Sequence, residues 1–186
     1  MSTPTTTKYL TAEEFFQLPQ PGDGSRRELV KGVIVTMSPP GFYHSLVCSR
    51  VDQLLGTFVY QHQLGYTGCN DPGVILERDP DTVRGPDVAF WCRERVTNVR
   101  QFSYTDVVPD LVVEVLSPND VFTQVLRKVQ EYFQAGVRVV WIVVPEDQGV
   151  AIYRPGQNPT LLAVNDTLSG EDVVPGFTCP VAALFP

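Results

Sequence analysis

The chain has little of what most metal and redox centres are built from. Its four cysteines, Cys48, Cys69, Cys92 and Cys179, form no C-x-x-C pair. A readable zinc ribbon and a thioredoxin-like redox motif are therefore excluded, and the thiols are expected to be reduced and structural. Histidine occurs twice, at His44 and His62, and never as H-E-x-x-H, so a histidine-rich metal centre is excluded as well. Positive charge is also short: 14 basic residues against 21 acidic leave a net charge of −7. That balance disfavours a protein that coats nucleic acid by bulk electrostatics. No apolar run approaches the ~18 residues of a membrane span, and MSTPTTTKYL lacks the basic and apolar regions of a secretory leader, so the expected compartment is the cytoplasm.

What is present suits a packed core. Hydrophobic residues make up 43% and charged residues 19%, a balance unlike that of a disordered chain or a charge-laced coiled coil. At 186 residues one domain is expected, residues 9–186, preceded by a flexible polar N-terminus, residues 1–8. Thr11 with Glu14 reads as a capping box opening a short helix to Leu18, which Pro19 ends. Arg27 to Met37 reads as two short strands about Lys31-Gly32, and Phe42 to Gln63 carries apolar residues at helical spacing. Short strands follow at 74–77, 87–91 and 111–116. A helix is expected at 120–135 with Gly136 as its stop, and further strands at 137–144, 149–153 and 161–164. Strands and helices in this order predict an α/β or α+β sheet core with helices packed on it.

The informative residues are carboxylates in apolar surroundings. Glu114 lies inside Leu111-Val112-Val113-Glu114-Val115-Leu116, where an ionised carboxylate without partners costs several kcal/mol. It needs a partner or a task. Asp87 follows Gly85-Pro86 and leads into Val88-Ala89-Phe90-Trp91, so it too belongs to a strand rather than a solvated loop. The two acids could share a hard cation, or each could pair with a basic residue. Asp110 lies on the same strand face as Glu114, but four residues at about 3.3 Å each separate them by roughly 13 Å. That is too far to share an ion ligated at about 2.1 Å, so Asp110 reads as a strand-start residue. Lys128, placed at 100° per residue, sits at the border of its helix's apolar stripe near Tyr132, from where it can reach towards Glu114.

Certain segments also carry a family pattern: Arg27-Glu28-Leu29-Val30-x-Gly32, Met37-Ser38-Pro39, His44 at the start of a long helix, Pro86-Asp87-Val88, Pro109 to Pro118, and Lys128 with Tyr132 ahead of Ala135-Gly136-Val137 and Trp141-Ile142-Val143. In order and spacing these resemble the Uma-type proteins of bacteria, a family assigned as endonucleases within the PD-(D/E)XK nuclease superfamily. The resemblance spans about Tyr9 to Phe185. It implies a restriction-endonuclease-like fold, a mixed sheet core flanked by helices with additional N-terminal and C-terminal β-strands. By position, Asp87 matches the motif aspartate and Glu114 the motif acid. Leu116 stands where many superfamily members place lysine, and Lys128 from the next helix fills that role. Glu28 matches the acid of the first family segment, Gln124 stands where relatives commonly carry an acid, and His44 matches a family histidine of unassigned task.

The resemblance implies a metal-dependent endonuclease acting on DNA. Asp87, Glu114 and the backbone carbonyl of Val115 would hold Mg²⁺ or Mn²⁺, Lys128 would orient the nucleophile, and Glu28 would ligate a second ion or hold water. A homodimer is expected if both strands are cut. Two other readings stand beside it: a nuclease-fold binding module without catalysis, and a metal-dependent hydrolase of another phosphoester. Trp91, Trp141, Phe90 and Tyr132 are expected in the core, and Arg26-Arg27 and Arg93-Glu94-Arg95 on the solvated surface.

Overall fold

The computed structural model describes residues 9–118 and 120–186. The expected flexible N-terminus, residues 1–8, lies outside the described residues, as does Asn119 between Pro118 and Asp120. Helix α1 (Ala12–Phe16) is opened by a reciprocal capping box: Thr11 Oγ1 accepts from the Glu14 N–H at 3.1 Å, and Glu14 Oε2 accepts from the Thr11 N–H at 3.1 Å. Strands β1 (Arg26–Val30) and β2 (Val33–Met37) form a hairpin whose two turn residues, Lys31 and Gly32, both have positive φ, at 49° and 74°. Such a turn matches the twist of the strands it joins. The long helix α2 (Phe42–Gln61) follows, then β3 (Gly65–Cys69), β4 (Val74–Glu77), β5 (Thr82–Arg84), β6 (Val88–Cys92) and β7 (Leu111–Val115). Helix α3 (Phe122–Ala135) ends on Gly136 in the left-handed region, and β8 (Val139–Val144), β9 (Gly149–Tyr153), β10 (Thr160–Leu162), β11 (Thr167–Ser169) and β12 (Thr178–Pro180) complete the chain.

Six strands form the main sheet in the order β10-β9-β8-β7-β6-β3. Only β7 and β8 run parallel, joined by the α3 crossover, and every other pairing within it is antiparallel. A smaller sheet has the order β2-β1-β5-β4, and β11 pairs with β12.

Alternation along β7 decides what each face of the main sheet meets. Leu111, Val113 and Val115 pack with Val47, Val51, Leu55 and Val59 of α2, while Val112 packs with Val129 and Tyr132 of α3. The strand is covered on both sides, as its near-continuous apolar run predicts. Glu114 shares the parity of Val112 and so faces α3. In the small sheet, Leu29 and Val83 pack on Ala12 and Phe15, which turns the alternate residue Glu28 to the opposite face.

The fold is mixed α+β, as expected, with small differences at the ends of elements. α1 stops at Phe16 rather than Leu18, α2 at Gln61 rather than Gln63, and α3 begins at Phe122 rather than Asp120. Strands β3, β5, β11 and β12 carry no pattern strong enough to predict. In β3 the reason is glycine: a Cβ on Gly65 would lie 1.9 Å from the Trp91 carbonyl oxygen, so close strand approach replaces side-chain packing.

Candidate active site

At the end of β7, Glu114 meets two groups from α3 one helical turn apart. Lys128 Nζ lies 2.9 and 3.0 Å from its two oxygens, and the Tyr132 hydroxyl donates to Oε1 at 2.6 Å. The i, i+4 spacing puts both donors on one face of α3, above the sheet. The small sheet supplies the other side: Glu28 Oε1 lies 3.0 Å from Lys128 Nζ and accepts from the Gly85 N–H at 3.0 Å, while Oε2 accepts from Arg84 at 2.6 Å. Arg84 also binds Glu131 of α3 at 2.6 Å. Both oxygens of Glu28 are thus engaged, and its observed contacts seat Lys128 and Arg84. Gln124 is exposed and takes no part in holding the lysine.

Asp87 stands just before β6 and is buried. Its Oδ2 accepts from the Val115 N–H at 2.8 Å and lies 3.4 Å from His44 Nε2. Its Oδ1 accepts from Arg26 at 3.1 Å, and Arg26 also binds Asp71 at 2.7 Å. Val115 therefore holds Asp87 directly through its N–H. Asp87, Glu114, Lys128, Glu28, Arg26 and Arg84 line one cavity of about 300 Å³. It shares Arg26, Met37, His44, Leu116 and Asp120 with a second cavity of about 640 Å³, where exposed Phe42 stands.

The electrostatics follow from this crowding. Burial, reinforced by the charges of Asp87 and Glu28 and opposed by Lys128, pushes the Glu114 carboxyl up to about 7. Burial also works against the charge on Lys128, yet Glu114 and Glu28 outweigh it and hold the amine protonated well above its usual range. Burial likewise opposes ionised Asp87 and Glu28. The His44 contact and the Val115 N–H hold Asp87 below the usual carboxylate range, and Lys128 and Arg84 do the same for Glu28. The hydrogen bond to Asp87 raises His44.

The donor set suits a divalent cation. The ion pairs form two groups that meet at the cavity: Asp71 and Asp87 on Arg26, and Glu28, Glu114 and Glu131 on Arg84 and Lys128. Hard carboxylate oxygens are the ligands that Mg²⁺ and Mn²⁺ take.

Every sequence-predicted site residue, Asp87, Glu114, Lys128, Glu28, Val115 and His44, reaches this one region. Asp110 does not: it caps the start of β7 through the Cys92 N–H and Arg95. Sequence reasoning missed five participants, Asp71 among them. Arg26, expected on the solvated surface, is drawn inward by Asp71 and Asp87. Tyr132, expected as core, is fully buried but spends its hydroxyl on Glu114. Arg84 and Glu131 complete the lysine's surroundings. The available signal was alternation: Arg26 and Glu28 are two apart on β1 and share a face.

A family model, Uma2, described as "Putative restriction endonuclease", matches residues 12–182. A crystal structure from Anabaena variabilis ATCC 29413, described as "a putative nuclease belonging to DUF820", aligns with a TM-score of 0.79 at 20% identity, covering 95% of this chain and 97% of that one. That likeness establishes the shared fold, which is restriction-endonuclease-like. A search of the curated proteins returns no match.

Proposed function

The chain belongs to the Uma2 family, and on that premise we propose that it is a metal-dependent endonuclease that hydrolyses DNA phosphodiester bonds through Asp87, Glu114 and Lys128. Supporting this most is Lys128 Nζ within 3.0 Å of both Glu114 and Glu28, on the cavity that Asp87 also lines. Asp87, Glu114 and the Val115 carbonyl would hold Mg²⁺ or Mn²⁺. When bound, such an ion polarises a phosphate oxygen and lowers the pKa of its water.

The chain's own residues do the rest. Lys128 offers N–H donors to the attacking water and offsets the negative charge that builds on the phosphate. Glu28 and Glu114 fix the ammonium between them. The Tyr132 hydroxyl and the Val115 N–H hold the Glu114 and Asp87 carboxylates in orientation.

The test is nicking of supercoiled DNA with Mn²⁺. Asp87→Ala, Glu114→Ala and Lys128→Ala should each lose about 10²-fold or more, the scale of removing one preorganised stabilising group. Unchanged rates in all three reject the assignment. A homodimer would bring two such sites to opposite strands, and light scattering on the eluting protein measures it. One observation favours the reading as a binding module without catalysis: Arg26 already occupies Asp87. Calorimetry separates the two, since a catalytic chain takes up Mn²⁺ and loses that uptake in Glu114→Ala.

A further inference from the structure

Cys48 lies one helical turn after His44 on α2. Its Sγ is 3.4 Å from His44 Nδ1 and 3.9 Å from Nε2, and Nε2 is 3.4 Å from Asp87 Oδ2. One ligand atom from each of the three residues falls within 4.8 Å of the other two. We propose that His44, Cys48 and Asp87 form a Zn²⁺ site, with a donor set distinct from the Asp87 and Glu114 pair and sharing one carboxylate with it.

The separations approach those a tetrahedral ion requires, with a small inward shift of Cys48 needed to complete them. Zinc bound at about 2.0–2.1 Å to nitrogen and oxygen and about 2.3 Å to sulfur places neighbouring ligands about 3.3–3.6 Å apart. The His44 and Asp87 atoms already lie in that range, and Cys48 Sγ lies just beyond it from Nε2. Mixed nitrogen, sulfur and oxygen donors select zinc over magnesium, which takes oxygen alone. Three protein ligands leave a fourth position for solvent.

His44 lines both cavities and Asp87 one of them, and Cys48 beside them is half-buried. Arg26 occupies Oδ1 of Asp87 rather than the oxygen facing His44, although the Val115 N–H shares that oxygen at 2.8 Å. On binding, the Cys48 S–H bond breaks, the sulfur–zinc bond forms from its electron pair, and the proton passes to solvent. A consequence that rests on the nuclease reading is that zinc, by taking Asp87, competes with Mg²⁺ or Mn²⁺ and inhibits cleavage. The site itself does not depend on that reading.

Cobalt titration tests it, because thiolate ligation to Co²⁺ gives a near-ultraviolet charge-transfer band. The wild type should show the band at one equivalent and lose it on adding Zn²⁺. Cys69→Ser/Cys92→Ser and Glu114→Gln should keep it, and Cys48→Ser should lose it. No band in the wild type, or a band that survives Cys48→Ser, overturns the proposal. A second measurement needs no variant: one equivalent of Zn²⁺ should suppress alkylation of Cys48 by iodoacetamide, followed by mass spectrometry, and undiminished alkylation overturns the site. Retention of the band in Glu114→Gln supports the zinc site whether or not the chain cuts DNA.

Discussion

Lys128 is held from opposite sides by acids of two different sheets, and its position depends on both. Glu28→Gln removes one of those charges while leaving a side chain of the same size, so the amine should keep its seat on Glu114 but lose part of its constraint. The expected result is a smaller loss of Mn²⁺-dependent nicking than in Lys128→Ala, measured on the same DNA. Arg84 has a structural stake: it is about a tenth exposed and joins Glu28 to Glu131. Arg84→Ala strands buried Glu28 with one partner fewer and should cost on the order of 3–5 kcal/mol in urea denaturation. Glu114 gives a pH signature in metal-free protein. Its folded pKa of about 7 lies above the ordinary 4.5, so folding favours the protonated form. That contribution is whole below the unfolded value and is lost as pH rises through the folded one. The wild type should therefore lose more urea stability than Glu114→Gln across that interval.

The elements differ in how openly they declare themselves. α2 and α3 are legible because their apolar residues recur at helical spacing, and β7 because five of its six neighbouring positions from 111 to 116 are aliphatic. A charge in such a run is conspicuous, which is why Glu114, and through it Lys128, could be named from sequence. β5 could not: three residues with no period precede Gly85, and its importance comes from pairing with β1, which brings Arg84 beside Glu28. Arg26 was illegible for a related reason, since a basic pair beside a turn reads as surface until its acidic partners, 45 and 61 residues away, are folded against it. The packing of α2 can be probed apart from the chemistry. Leu55 is completely buried against the sheet, and Leu55→Ala should cost about 2–5 kcal/mol, read as a lower urea midpoint with an unchanged slope.

For the molecule as a whole, a net charge of −7 means that phosphate is repelled unless something intervenes. In the proposed reading that something is the divalent cation. DNA affinity, followed by fluorescence anisotropy, should be negligible in EDTA and appear with Ca²⁺, which supports binding through the same hard oxygens. With Arg26, Arg84 and Lys128 of the cavity already ion-paired to carboxylates, that affinity should fall with salt less steeply than for a basic DNA-binding domain. Equal affinity in EDTA and Ca²⁺ would contradict this picture.

Glu28 and Arg84 ride on the small sheet, whereas Lys128, Glu131 and Glu114 ride on the large one and its crossover helix. A slide of one layer past the other by even an ångström would unseat the ammonium before any covalent chemistry was altered. Turnover should thus serve as a gauge of interlayer register, falling in variants that loosen the seam far from any reacting atom.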